Sequence, residues 1–189
     1  MALLESTSYV SPGTFALGML PLASEPGALI TVGGTTLLHA PLCTPAVADA
    51  ALKSLRGFRA PGRRIAWCNP TELSRTPRVD LAAWGRKFVE VGGAQMLVVY
   101  GVGSRELAVA VRDAGLPLSR VVVCRDDFTA RNVLCDSINS GDAVLALGVT
   151  ADSCYKLAER LESRFEREEA SGCRPSALGQ NEQGFFSKR

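Results

Sequence analysis

The chain has 189 residues, which is enough for one domain with a sizeable core and short for two. Its 47% hydrophobic and 21% charged residues are typical of a globular protein and exclude intrinsic disorder. The formal net charge of +2 gives no electrostatic reason to expect nucleic acid or an anionic membrane as a partner.

The cellular environment is predicted from three further features. The N-terminus carries Glu5 and no basic region, so we expect no secretory signal. No apolar run approaches the roughly 18 residues of a membrane span. The six cysteines include no Cys-x-x-Cys pair, so they do not indicate a disulfide framework. Together these features predict a soluble, cytoplasmic protein without contact to a membrane.

Taken in chain order, three regions are predicted. Residues 1–26 are rich in serine, proline and glycine, and we interpret them as an N-terminal arm. Residues 27–167 form the folded domain, and residues 168–189 form a polar, turn-rich tail in which Phe185 and Phe186 are the apolar exception. The domain opens with a β-hairpin from Ala28 to His39, because β-branched runs flank the Gly33–Gly34 pair.

After a helix at residues 44–55, apolar strands alternate with amphipathic helices. Strands are predicted at 65–68, 96–100, 121–124 and 143–147, and helices at 79–91, 105–114, 129–138 and 152–166. Continuous apolar strands separated by helices indicate a mainly parallel sheet covered on both faces. The predicted fold class is therefore a Rossmann-like, three-layer α/β domain with an N-terminal hairpin.

In such a sheet, ligands bind beyond the carboxyl ends of the strands. The candidate ligand-binding residues are the polar residues and glycines at those ends: Asn69, Gly101, Gly103, Ser104, Arg105, Gly148 and Thr150. The Gly101–Ser104 loop has the small residues of an anion-binding turn, although it lacks both the dinucleotide glycine spacing and a Walker Gly-Lys-Ser/Thr. A plain strand-to-helix turn is the alternative interpretation.

Two other groups of residues have side chains that could serve in catalysis or bind a metal ion. Asp126 and Asp127 precede a helix, where acids cap the helix and complement its dipole, so we favour a structural role over a metal or acid–base pair. His39 and Cys43 are separated by Pro41, which disfavours a helical pairing of a nucleophile with its base. We therefore predict no catalytic residue, no bound metal and no cofactor.

From about Gly27 to Leu161 the chain resembles the C-terminal domain of Mur ligases, most closely the enzyme that adds D-Ala-D-Ala to the peptidoglycan precursor. Four segments carry the resemblance: residues 35–45 with the helix after them, residues 64–71 with the strand Arg64-Ile65-Ala66-Trp67, and the strands at residues 97–101 and 140–145. The resemblance implies a Rossmann-like fold and, in the family, ATP-dependent ligation of an acid to an amino acid.

The polar motifs of the family are replaced. Where the family has Asp-x-Tyr-Asn-Ala-Asn-Pro, this chain keeps only Pro45. Asn69-Pro70 stands for the family's Gly-Asp pair, and residues 147–150 retain the glycine of a Lys-Gly-Ser-Arg loop without its lysine or arginine. The chain also has no Gly-Lys-Thr/Ser loop, which phosphoryl activation requires.

Three hypotheses follow. The first is a non-catalytic, Mur-ligase-like module that binds a protein partner or a small ligand at the strand-end crevice. The second is an accessory subunit that completes a split ATP-dependent ligase of cell-wall precursor synthesis. The third is an unrelated Rossmann-like enzyme that binds a nucleotide at the Gly101–Arg105 loop. The sequence leaves the oligomeric state open.

Overall fold

The computed structural model describes residues 16–22 and 25–171. Most of the predicted N-terminal arm, nearly all of the predicted tail, and Phe185 and Phe186 lie outside the described residues. Within the described ranges, none of the helices is long and apolar enough to cross a membrane.

The described strands form one mixed sheet in the order β1-β2-β3-β7-β4-β5-β6. The strands are β1 (Ala16–Leu22), β2 (Glu25–Val32), β3 (Thr35–Ala40), β4 (Arg64–Cys68), β5 (Met96–Val99), β6 (Val121–Val123) and β7 (Ala143–Leu147). β1 pairs antiparallel with β2, and β2 pairs antiparallel with β3. The remaining pairings, β3 with β7, β7 with β4, β4 with β5 and β5 with β6, are parallel. The predicted hairpin is confirmed as β2–β3.

Helices connect the parallel strands. They are α1 (Pro45–Gly57), α2 (Thr71–Arg75), α3 (Leu81–Glu90), α4 (Ser104–Asp113), α5 (Asp127–Ser137) and α6 (Ala151–Ala170), with a 3-10 helix at Leu118–Arg120 before β6. The sequence predicted all of these helices except α2 and the 3-10 helix. Strand β1 lies in the segment that we assigned to the N-terminal arm, and α6 continues three residues beyond the predicted end of the domain.

Alternate residues of the strands point to opposite faces of the sheet and build two separate cores. On one face, residues such as Leu38, Leu97 and Leu145 pack beneath α1, α3 and α4. On the other, their neighbours Leu37, Val98 and Val144 pack beneath α5 and α6. Burial on both faces explains why the strands are apolar throughout, and it confirms the predicted three-layer α/β class.

The amino ends of the parallel strands are held by a buried ion pair. Asp142 is 3% exposed and accepts hydrogen bonds from the backbone N–H of Arg63 at 2.7 Å and from its guanidinium Nη2 at 2.7 Å. The backbone N–H of Asn139 donates to the same carboxylate at 2.9 Å. These bonds satisfy the carboxylate of Asp142 and fix the lead-ins to β4 and β7 relative to each other.

Candidate functional site

The loops after β4, β5 and β7 meet at the carboxyl edge of the sheet, because these strands are neighbours and run in the same direction. Asn69 directly follows β4, Gly101 follows Tyr100 at the end of β5, and Gly148 directly follows β7. The structure therefore brings together three of the seven predicted residues at the centre of this edge.

These three residues pack against one another. A Cβ atom on Gly101 would lie 2.5 Å from Oδ1 of Asn69, and one on Gly148 would lie 2.6 Å from the carbonyl oxygen of Asn69. Oδ1 of Asn69 also accepts a hydrogen bond from Oγ1 of Thr71 at 2.6 Å. The backbone N–H of Asn69 donates to the carbonyl of Leu147 at 2.9 Å. We call the part of the edge around Asn69 and Gly148 the closed half, because these residues pack together and bond Oδ1 and the backbone N–H of Asn69 within the chain.

The loop from Gly101 to Arg105 turns into α4 with Gly103 at the position that precedes the helix. Gly103 has a φ of 80° and faces away from the strand ends, since a Cβ there would lie 2.7 Å from Cβ of Ser74. Ser104 is buried as the first residue of α4, and Arg105 is exposed. Gly103 therefore serves the packing of the loop against Ser74.

Beyond Gly101 the edge opens into a shallow depression of about 560 Å³, which we call the open half. Its lining combines the loop after β5 with the end of β6: Gly101, Val102, Ser104, Arg105, Val123, Cys124 and Arg125. Arg105 and Arg125 give the open half a positive charge, and no acidic residue lines it. Arg125 was not among the candidate residues, because only the pairing of β6 with β5 brings it to the same depression as Arg105.

Thr150 belongs to a different group of polar residues, at the starts of α5 and α6. Its Oγ1 accepts a hydrogen bond from the backbone N–H of Ser153 at 3.3 Å, which caps α6. Oγ of Ser153 donates to Oδ2 of Asp127 at 2.7 Å, and Nε of Arg131 donates to the same oxygen at 3.0 Å. Burial raises the pKa of Tyr100, and the negative charge of Asp127 raises it further. This group joins two helices and is separate from the open half.

The two aspartates have the structural role predicted for them. Asp126 caps α5 by accepting hydrogen bonds from the backbone N–H and the hydroxyl of Thr129, both at 2.8 Å. These bonds from Thr129, backbone first, lower the pKa of Asp126. Asp127 links α5 to α6 as described above.

His39 and Cys43 also have separate structural partners. The ring Nε2 of His39 lies 2.8 Å from the carbonyl oxygen of Val149, and the side chain is 6% exposed. Sγ of Cys43 lies 3.9 Å from Sγ of Cys68 in the core. In the part of the chain that the structure describes, no three His, Cys, Asp or Glu side chains are grouped closely enough to hold a metal ion.

The solved structures that this chain resembles include two from Mur ligases. One is a domain of a UDP-N-acetylmuramate:L-alanyl-gamma-D-glutamyl-medo-diaminopimelate ligase from Haemophilus ducreyi 35000HP, with a TM-score of 0.49 and 13% identity over 71% of this chain and 94% of that domain. The other is the MurF ligase from Thermotoga maritima in complex with ADP, with a TM-score of 0.45 and 14% identity over 74% of this chain.

This chain spans only 31% of the length of the MurF ligase. At this level of similarity, neither neighbour assigns an activity or a ligand to the chain. No protein-family model matches the sequence. No curated protein matches it either.

Proposed function

We propose that this chain is a non-catalytic binding module with a Mur-ligase-like fold, and that it binds through the open half of the strand-end edge. The observation that carries this proposal is the division of the edge. In the closed half, Asn69 and Gly148 are packed and hydrogen-bonded within the chain. In the open half, Arg105 and Arg125 line an accessible depression.

The proposed non-catalytic role rests on the hydrogen bonds that the reactive side chains already form within the chain. Asp126 caps a helix, Asp127 bonds Ser153 and Arg131, and His39 bonds a backbone carbonyl. A general base must be free to take a proton from a bound substrate within hydrogen-bond reach. These groups are instead held by the fold, so recognition is the role that the remaining exposed residues support.

The chemistry of the open half favours an anion. Guanidinium groups bind carboxylate and phosphate strongly, because both partners are charged and the hydrogen bonds are paired. The N-terminus of α4 adds the positive end of a helix dipole on the same side. We therefore expect a carboxylate or phosphate group of the ligand or partner to lie between Arg105 and Arg125.

The test is a titration of the ¹⁵N-labelled full chain with succinate and with inorganic phosphate, followed by amide chemical shifts. We expect saturable shifts at residues 101–105 and 123–125, and no shifts at Asn69 or Gly148. The double variant Arg105→Ala and Arg125→Ala should lose these shifts. Arg86→Ala, which removes an exposed arginine from α3, is the matched control and should keep them.

A second measurement separates binding from catalysis. The full chain is incubated with magnesium and ATP, and phosphate release is followed together with thermal stability. We expect no turnover, and no more stabilisation by ATP than by inorganic tripolyphosphate, because the open half is expected to bind phosphate groups. Turnover would overturn the non-catalytic role, and a saturable rise in melting temperature with ATP beyond that with tripolyphosphate would favour a nucleotide-binding enzyme or a ligase subunit.

A further inference from the structure

We propose that the free edge of β6 accepts an extended, acidic segment of a partner protein as an added strand. An acidic side chain of that segment then lies in the open half, between Arg105 and Arg125. This proposal rests on the proposed binding role and names its partner. It is carried by the backbone groups, the apolar surface and the charges at β6.

The first observation is that β6 is the last strand of the sheet formed by residues 16–22 and 25–171, and that none of these residues bonds the outward backbone groups of Val123. The N–H of Cys124 donates to the carbonyl of Val99 in β5 at 2.7 Å. Successive residues of a strand present their backbone groups to opposite sides, so the N–H and C=O of Val123 point away from β5. The N–H of Val121 already donates to Leu118. An added strand would therefore bond mainly to Val123 and to the carbonyl of Val121.

The second observation is that β6 carries apolar side chains, whereas many exposed edges carry lysine, proline or a bulge. β6 is Val121-Val122-Val123, and its three-residue length limits an added strand to a few backbone hydrogen bonds. Val123 is 44% exposed, and Val102, which lines the open half with it, is 56% exposed. Leu118, in the 3-10 helix that precedes β6, is 71% exposed. Of the described elements, β5 and α4 make the main contacts with β6. The outer side of the strand thus presents an apolar surface at which a partner strand can pack.

The third observation is the charge around β6, which selects the partner. Arg120 and Arg125 flank the strand, and Arg105 lies across the open half. In the part of the chain that the structure describes, none of these three arginines forms a salt bridge. Asp126 follows Arg125 but is bonded to Thr129 as the cap of α5. Complementary charge therefore calls for an acidic segment.

The same charges disfavour a second copy of this chain as the partner. Antiparallel pairing of two β6 strands would bring Arg120 and Arg125 of one copy towards the arginines of the other. Like charges placed opposite each other across two strands are destabilising. A partner strand with alternating acidic and apolar residues avoids this repulsion and satisfies both the apolar surface and the arginines.

The test uses the ¹⁵N-labelled full chain and a hexapeptide of alternating glutamate and valine with blocked ends. The matched control peptide has lysine in place of glutamate. We expect the glutamate peptide to shift the amides of residues 121–125 and 101–105, and the lysine peptide to shift none. The interaction should weaken as salt is added, because exposed charges are screened.

Two pairs of variants test the two parts of the proposal. Val123→Pro removes the outward N–H, and proline is tolerated at the outer side of an edge strand. It should weaken peptide binding about tenfold, equivalent to about 1.4 kcal/mol, whereas Val123→Thr should not. Arg120→Glu combined with Arg125→Glu should weaken binding by at least about tenfold, and Arg86→Glu on α3 should leave it unchanged. The arginine variants test the proposal even if Val123→Pro fails to fold.

Several outcomes would overturn strand addition at β6. Strand addition is wrong if the lysine peptide binds as tightly as the glutamate peptide, or if Val123→Pro binds the glutamate peptide as tightly as the unaltered chain does. Self-association of the chain with shifts at β6 would show that the occupant is a second copy. If the glutamate peptide shifts residues 101–105 but not β6, strand addition is wrong while the binding role stands. If neither the peptide nor the small anions shift this side of the molecule, both proposals are wrong.

Discussion

At the scale of single residues, Gly148 shows how the closed half of the edge depends on the absence of a side chain. Its φ is +68°, a conformation that disfavours residues with a Cβ atom. A Cβ there would also lie 2.6 Å from the carbonyl oxygen of Asn69 and 2.7 Å from Cβ of Cys43. Close approach of β7 to the loop after β4 is thus possible only because residue 148 is glycine.

We predict that Gly148→Ala lowers the free energy of unfolding by roughly 3 kcal/mol, because backbone strain and overpacking act together. Gly115→Ala is the matched control. Gly115 also has a positive φ, +106°, but no atom lies within 4 Å of a Cβ placed there. Gly115→Ala should therefore lower the free energy of unfolding only by the backbone strain, about 1–2 kcal/mol. Urea unfolding measures both, and equal losses would show that the contact with Asn69 is not tight.

At the scale of elements, the pair α3 and α4 is held by an unusually close approach. A Cβ on Gly85 in α3 would lie 2.3 Å from Cβ of Ala110 in α4 and 2.5 Å from the carbonyl carbon of Ala110. The two helices therefore touch backbone to backbone at this point. This contact positions the start of α4, and with it Arg105, beside the open half.

We predict that Gly85→Ala destabilises the protein by roughly 1–2 kcal/mol. Alanine is intrinsically better than glycine inside a helix by about 1 kcal/mol, so the loss reports the cost of pushing α3 and α4 apart. The control is Gly57→Ala at the last residue of α1, where no atom lies within 4 Å of an added Cβ. That variant should be neutral or more stable. A gain in stability for Gly85→Ala by urea unfolding would contradict the close approach.

At the scale of the whole molecule, several buried acids that are neutral at pH 7 make the fold sensitive to alkali. Burial, and next the negative charge of Asp127, raises the pKa of Cys154 from 9.0 to about 12. Burial also raises the pKa of Cys68, and the neighbouring Cys43 raises it further. Burial likewise raises the pKa of Tyr100, and the negative charge of Asp127 adds to that rise. Each of these groups keeps its proton in the folded state at a pH where the unfolded chain has lost it.

We predict that the contribution of these groups to the free energy of unfolding is constant below about pH 9 and falls as the pH rises towards 12. Above pH 9 the folded state binds more protons than the unfolded state, so the free energy of unfolding decreases with pH. Cys154→Ala should flatten this decrease by at most about 1.4 kcal/mol per pH unit. Urea unfolding from pH 7 to pH 11 measures the slope, and identical slopes for both proteins would refute a buried, protonated Cys154.

Local patterns were sufficient to predict most elements, and the reasons for the exceptions are physical. The five residues of α2 are too few to show helical periodicity, and they follow Pro70. β1 contains Gly18 and Pro21, which favour turns, and forms a strand only because it pairs with β2. Asn69, Gly101 and Gly148 lie together because the carboxyl ends of parallel strands meet at one edge, whereas Gly103 packs against Ser74 and Thr150 caps α6.

The amino-acid sequence alone determined the α/β class, the hairpin at Gly33–Gly34 and the edge of the sheet that carries the candidate site, because periodicity and turn chemistry are local. Only the tertiary structure decided that Asn69 and Gly148 close half of that edge and that Gly101 borders the open half. It also decided that β6 is the outermost of the described strands and that Arg125 lines the same depression as Arg105. Strand order and side-chain contact depend on pairing between residues distant in the chain, which no local pattern encodes.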